Sequence, residues 1–245
     1  GQAPFGFWWA SLAGLAGLIW LVTESPDRRA AFLAGLVAGI GYFGLALFWI
    51  VEPFLIDAAH YGWMAPFALV FLSAGLGLFW AGAALLARAS PRPVPWFVLA
   101  FVTLEWLRGV ILTGFPWAML GHVWIGTPVD QLAAMVGPSG LTLLTLVLAA
   151  LPVALSARGA VGSGLILALA FGFGLWRLGE PMPADREGSI RLVQPNAEQS
   201  LKWDDALAES FLNRLLTLTA EGTPADLTIW PETAVPYMLE YAPEV

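Results

Sequence analysis

The chain has 245 residues, 58% of them hydrophobic and 12% charged, with 13 Trp, 26 Gly, no Cys and a net charge of −7. Soluble domains carry about 25% charged residues; at half that, with a mean hydropathy of +0.74, side chains cannot cover a water-soluble globule, and a soluble single-domain enzyme is excluded. The lack of cysteine removes disulfides, thiolate metal sites and any cysteine nucleophile from these residues.

Six apolar stretches reach the roughly 17–25 residues of a bilayer crossing. They are Phe5–Val22, Ala30–Val51, Trp63–Ala87, Val94–Thr113, Gly137–Ala157 and Gly159–Leu178. Their succession predicts a polytopic α-helical membrane bundle over residues 1–179; the ordinary alternative is a set of buried soluble helices. A cleavable leader does not suit the first stretch, which has no basic start and is followed by five more. In the second, Gly35 and Gly39 give the small-xxx-small spacing that lets helices touch. Arg28 and Arg29 follow the first stretch, Arg88 and Arg92 the third and Arg158 the fifth, while the connections after the second and fourth contain no Lys or Arg. By the positive-inside bias the odd connections are cytoplasmic, and the N-terminus and residues 180–245 face outward, into the periplasm of a bacterium.

The fourth stretch carries Glu105 and Arg108, three apart and so on one helix face. Ions are expensive in hydrocarbon, so such residues are functional candidates, with a structural ion pair as the alternative. Arg108 lies about 7–8 Å from the outward end of its stretch at the helical rise, where a guanidinium suits a phospholipid headgroup phosphate. Gly114-Phe-Pro-Trp117 then ends the helix, and His122 follows with no partner evident from the sequence.

Residues 1–179 hold six acids and seven bases, and residues 180–245 twelve acids and four bases, so the acidity belongs to the C-terminal part. Neither part has a basic footprint for nucleic acid. Ile190–Gln194 reads as a strand closed by Pro195. Asp204 caps a predicted helix to about Ala220, with Leu207, Phe211, Leu212, Leu215 and Leu218 on its apolar face; Gly222 and Pro224 end it. Asp226–Trp230 is a second strand, followed by Pro231 and Glu232. Strand, helix and strand predict a right-handed crossover between parallel strands. Ligands gather at the carboxyl ends of such strands, where Gln194, Asn196 and Glu232 fall. Glu232 is the leading acid–base candidate; the plain alternative is a solvated carboxylate at a strand end.

Gln194-Pro-Asn196, Ser200-Leu-Lys-Trp-Asp204 and Ile229-Trp-Pro-Glu232-Thr-Ala-Val-Pro236 resemble the opening of the nitrilase-like domain of the apolipoprotein N-acyltransferase family. Glu105-Trp-Leu-Arg-Gly109 with Leu112-Thr-Gly-Phe-Pro-Trp117 is similar to a membrane signature of the same family. The resemblance runs from Ala3-Pro-Phe5 to the C-terminus. It implies a helical membrane domain over 1–179 and the first part of an αββα nitrilase-like domain over 188–245, in the bacterial inner membrane. It implies acyl transfer from a phospholipid to an enzyme cysteine, and then to the N-terminal amine of a diacylglyceryl apolipoprotein, with membrane lipids as partners and no cofactor or metal. Glu232 matches the family's general base and Trp203 a residue lining the substrate entrance; Gln194, Asn196 and Arg108 complete the expected substrate-binding set.

The chain departs from the family pattern in having no Cys, and its single Lys, Lys202, stands outside the catalytic position. Both groups are expected downstream of Val245, a further hydrophobic helix is expected upstream, and these 245 residues alone are expected to be inactive. His122 stands where the family commonly has Tyr. The alternatives are a noncatalytic membrane scaffold with a degenerate nitrilase-like domain, and a transporter lined by Glu105 and Arg108.

Overall fold

The computed structural model describes residues 6–182, 184, 187–197, 201, 204–232 and 234. The chain divides into two units, Gly1–Glu180 and Pro181–Val245, each built around its own contacts.

The first unit is helical. Helix α1 (Trp8–Glu24) buries Leu15, Leu18, Ile19 and Val22, one stripe at helical spacing, and leaves Trp9, Trp20 and Leu21 exposed. A helix apolar all round suits a lipid solvent. Helix α2 (Arg28–Ala46) starts at Asp27, whose carboxylate accepts from the Ala30 N–H at 2.8 Å; such a cap contributes about 1 kcal/mol. Short helices α3 (Glu52–Leu55) and α4 (Ala58–Tyr61) lead into α5 (Ala65–Arg88), and α6 (Pro93–Val110) follows. The buried residues of α2 are Ala31, Gly35, Gly39 and Phe43, a row with a step of four. A Cβ at Gly35 would stand 2.7 Å from the Trp80 carbonyl oxygen, and one at Gly39 2.7 Å from Gly77 Cα. The two backbones touch through the small-residue row, and this contact ties α2 to α5. In the purified whole protein Gly39→Leu is therefore expected to lower the thermal midpoint, an overpacking cost of about 1–3 kcal/mol. Gly41→Leu, at a site where a Cβ meets nothing within 4 Å, is expected to leave the midpoint in place.

Helix α7 (Ala133–Leu178) is interrupted by non-helical backbone at Gly137 (φ 63°, ψ −176°) and Ser156 (φ 51°, ψ −130°). Past Ser156 the chain folds back: a Cβ at Gly159 would collide with the Leu151 carbonyl, and the Ser163 hydroxyl donates to the Leu148 carbonyl at 2.8 Å. The predicted break at Arg158 thus lies at Ser156, and α7 is a hairpin of two arms.

Among the described residues, three helical stretches are long and apolar enough to cross a membrane: Arg28–Ala46, Ala58–Arg88 and Pro128–Leu178. The six predicted stretches are not all separate by this measure. Trp8–Glu24 has 17 residues, the last two stretches run together, and Pro93–Val110 gives up apolar character to Glu105 and Arg108.

In the second unit, β1 (Ile190–Leu192) pairs in parallel with β2 (Leu227–Ile229), in the register Ile190↔Leu227, Arg191↔Thr228, Leu192↔Ile229. Helix α8 (Asp205–Ala220) connects them; Asp204 caps it by accepting from the Ala206 N–H at 2.9 Å. Ala208, Leu212 and Leu215 form its buried row. Arg191 ties the start of the sheet to the end of α8, donating to the Thr219 and Thr223 carbonyls. Alternation places Ile190, Leu192, Leu227 and Ile229 on one sheet face, and all four are exposed.

Candidate functional site

Each unit contributes one candidate. In the second, the Val193 N–H donates to the Ile229 carbonyl at 3.0 Å, carrying the pairing one step beyond β1. The parallel pair therefore releases both chains at one edge. Gln194 and Asn196 leave from one strand, Trp230, Pro231 and Glu232 from the other, and Gln194, Asn196 and Glu232 are exposed. Asn196 adopts φ 50°, a left-handed conformation that Asn tolerates better than most residues. The Gln194 side chain accepts from its N–H at 3.2 Å. Arg214 fixes the same turn from α8 by donating to the Pro195 carbonyl at 2.8 Å, and the Trp230 indole donates to the Thr219 hydroxyl at 2.9 Å. Trp203 lies outside the described residues. At the opposite end of the pair, the Ser189 N–H and hydroxyl both donate to Asp226, at 2.7 and 2.9 Å. These bonds hold its carboxyl below the ordinary aspartate range. Their stabilisation is present above that range and is lost as pH falls through the lowered value.

In the first unit the pair on α6 is buried, Glu105 and Arg108 each being 2% exposed. They stand 3.9 Å apart, beyond hydrogen-bond length. Each instead holds the segment that follows α6. Arg108 Nη1 donates to the carbonyls of Phe115 and Trp117, at 2.7 and 2.9 Å. Glu105 accepts from the Leu120 N–H at 2.8 Å and from the Thr142 hydroxyl at 2.5 Å, and that hydroxyl accepts from the Gly121 N–H at 2.9 Å. Three residues on, the Trp124 indole donates to Thr145 at 2.8 Å. A Cβ at Gly121 would collide with the Pro138 carbonyl, so only glycine lets the loop lie this close to α7. Between the anchors the backbone is strained: Leu112 has φ 57° and Ala118 φ 53°, both uncommon for residues with a Cβ. Leu112 is 99% exposed, and exposed Trp117 packs edge-on against Trp49 at 6.1 Å.

Arg108 is buried, and its Nη2 has no hydrogen-bond partner among the described residues. The guanidinium braces the 115–117 turn and lies 5.1 Å over the Phe43 ring. Burial, and then the Arg108 charge, hold the His122 pKa below the ordinary histidine value.

A family model described as the apolipoprotein N-acyltransferase N-terminal domain matches residues 1–151. The chain belongs to the apolipoprotein N-acyltransferase family. It is 42% identical over 249 residues to the apolipoprotein N-acyltransferase of Caulobacter vibrioides, an alignment covering 95% of this chain and 47% of that protein. To the enzyme of Brucella melitensis biotype 1 it is 37% identical over 270 residues, covering 99% of this chain and 51% of that protein. The chain thus spans about half the length of the curated relatives it matches.

The sequence pattern singled out Glu105 and Arg108 but not Thr142 and Thr145, the groups that anchor Glu105 and Trp124 to α7. The signal available was two threonines three apart in the otherwise apolar Leu141-Thr-Leu-Leu-Thr145.

Proposed function

We propose that the whole protein moves an acyl chain from a phospholipid, by way of a cysteine thioester, to the N-terminal amine of a diacylglyceryl apolipoprotein. The observation that carries this is Glu232, placed directly after Ile229-Trp-Pro at the carboxyl edge of a parallel strand pair, in a chain of this family.

In this reading Glu232 is the general base. A thiol with a pKa near 8.5 and an α-amine near 8 are both poor nucleophiles at neutral pH until a proton is removed. Glu232 takes the thiol proton as sulfur attacks the ester carbonyl, and returns it to the departing lysophospholipid oxygen. It then takes a proton from the incoming ammonium group; the freed nitrogen attacks the thioester, sulfur leaves with that proton, and the nitrogen sheds its second proton to solvent as the amide forms. Gln194 and Asn196 line the place where the acyl group changes hands, and Trp203 matches the family residue of the substrate entrance. The 245 residues hold no cysteine, so in this reading the thiol, and the lysine that steadies the oxyanion, belong to the rest of the whole protein. Arg108 serves the donor lipid indirectly, by holding the turn that presents Leu112 and Trp117.

Residues 1–179 cross the bacterial inner membrane six times, the α7 hairpin at Ser156 supplying the last two crossings. Residues 188–245 open a nitrilase-like αββα domain on the periplasmic side. The exposed apolar face of Ile190, Leu192, Leu227 and Ile229 supports that larger domain, because a two-stranded sheet needs a further layer to be stable.

The test is reconstitution of the whole protein with an isotopically labelled phospholipid and a diacylglyceryl lipopeptide. The expected product is the lipopeptide heavier by one labelled acyl group and blocked at its amine. An unmodified lipopeptide under conditions where the protein is folded would count against the reading.

A further inference from the structure

Where α5 gives way to α6 the chain reads Arg88-Ala-Ser-Pro-Arg-Pro-Val-Pro-Trp96. An open groove of about 430 Å³ runs along this turn, with Leu86, Ser90, Pro91, Arg92 and Trp96 in its wall. Its chemistry is divided. Leu86 and Trp96, each 50% exposed, offer contact to hydrocarbon, while Arg92 and Ser90 offer donors. Pro91, Pro93 and Pro95 take backbone N–H groups out of the turn and fix its φ angles, so donation falls to side chains on a stiff frame. The Ser90 hydroxyl accepts from the Arg92 N–H at 3.2 Å.

The charge here is unbalanced. Among the described residues the ion pairs are His60 with Asp57 and Glu105 with Arg108, so Arg92 has no carboxylate partner. Arg88, one turn back, donates from Nε to the Ser25 carbonyl at 2.7 Å and meets no carboxylate either. The chain carries no Asp or Glu between Asp57 and Glu105. Arg92 is also the residue that precedes α6, whose first turn holds no acid and whose cap makes no side-chain hydrogen bond. A helix start favours an anion; here the chain places a cation, and the complementary anion has to come from outside it.

We propose that this groove holds one anionic phospholipid of the leaflet at that end of the bundle, with its phosphate between Arg92 and Ser90 and one acyl chain along Leu86 and Trp96. A guanidinium matches phosphate bidentately, and basic pockets between membrane helices take anionic headgroups. A zwitterionic headgroup brings an ammonium for which the wall has no carboxylate, and a free phosphate leaves Leu86 and Trp96 without a role. The whole length of α6, Pro93–Val110, separates the groove from the 111–124 segment, so this lipid is held and not consumed. The proposal rests on the bilayer setting of residues 1–180 and is independent of acyl transfer.

The test uses the whole protein carrying Glu232→Gln, in phosphatidylcholine nanodiscs doped with phosphatidylglycerol or phosphatidylethanolamine that bears a diazirine in one acyl chain. Adducts are mapped by peptide mass spectrometry after illumination, a measurement that needs no turnover. Saturable labelling of residues 86–96 is expected, with phosphatidylglycerol half-saturating at a mole fraction roughly five-fold below phosphatidylethanolamine, the worth of one guanidinium at an anionic surface. Arg92→Gln should erase that preference, and Arg92→Lys, which keeps the charge, should retain it. Arg28→Gln, on the connection that Arg88 touches but outside the groove, should also retain it. Equal half-saturation by the two lipids, or a preference that survives Arg92→Gln, would overturn the proposal. So would an equal loss in Arg28→Gln, the mark of general surface charge, or displacement of the lipid by inorganic phosphate alone.

Discussion

In the whole protein, Glu232→Gln is expected to abolish acyl-enzyme formation. General-base catalysis contributes about 10²–10⁴-fold, and here one carboxylate serves both half-reactions, so the loss should fall at or beyond the upper end of that range. Glutamine keeps the size and the hydrogen-bonding oxygen but cannot take a proton. Mass spectrometry of the cysteine peptide after incubation with phospholipid reads the effect directly. Undiminished thioester in the variant would remove Glu232 from the chemistry and leave it a solvated strand-end residue. Glu232 is exposed, on a turn after β2, within reach of a group approaching the strand edge.

The second large effect is expected at Glu105. Removing its side chain by Glu105→Ala leaves the Leu120 N–H and the Thr142 hydroxyl without their acceptor. It also leaves Arg108 buried without a counter-charge. Breaking a buried pair in this way costs about 3–5 kcal/mol. The whole protein should therefore lose most of its stability margin, or keep its helices while the 111–124 segment comes free. Thermal unfolding separates the first case, and hydrogen exchange at Leu120 and Gly121 identifies the second. Thr142→Ser, which keeps the hydroxyl, should preserve exchange protection at Gly121, whereas Thr142→Val should lose it. A Glu105→Ala protein with unchanged midpoint and unchanged protection would show that the carboxylate is not the anchor of the loop.

The second unit was the more legible in the sequence because its boundaries are set by local chemistry. Pro195 closes one strand, Asp204 caps the helix with its own side chain, and Gly222 lies at φ 73° past the helix end. Once the strands were predicted parallel, the shared edge of Gln194, Asn196 and Glu232 followed from topology alone. In the membrane unit the apolar periods located the helices but not all of their ends. The stretch predicted to Val51 leaves the α-helix at Leu47, where the backbone turns to φ −114°. The last two stretches are joined through Ser156, whose left-handed backbone carries no compositional mark.

The candidate network shows the same division. Glu105 and Arg108 stood out because ions in an apolar run are conspicuous. Their three-residue spacing suggested mutual neutralisation, and they do stand as an ion pair at 3.9 Å, while the hydrogen bonds of each go to other partners. Those partners are backbone carbonyls, a backbone N–H and Thr142, which lies 37 positions from Glu105. Sequence cannot display such partners, because the loop's return to α6 and α7 depends on Gly121 allowing contact with Pro138.

The most direct measurement of the central claim is a two-stage reaction of the whole protein. Phospholipid is supplied first, without acceptor, and the protein mass is followed; the diacylglyceryl lipopeptide is then added. Two-step transfer predicts a stoichiometric gain of one acyl mass in the first stage, and its quantitative move to the lipopeptide amine in the second. No adduct in the first stage with N-acylated lipopeptide in the second, or an adduct that the amine does not discharge, would contradict it.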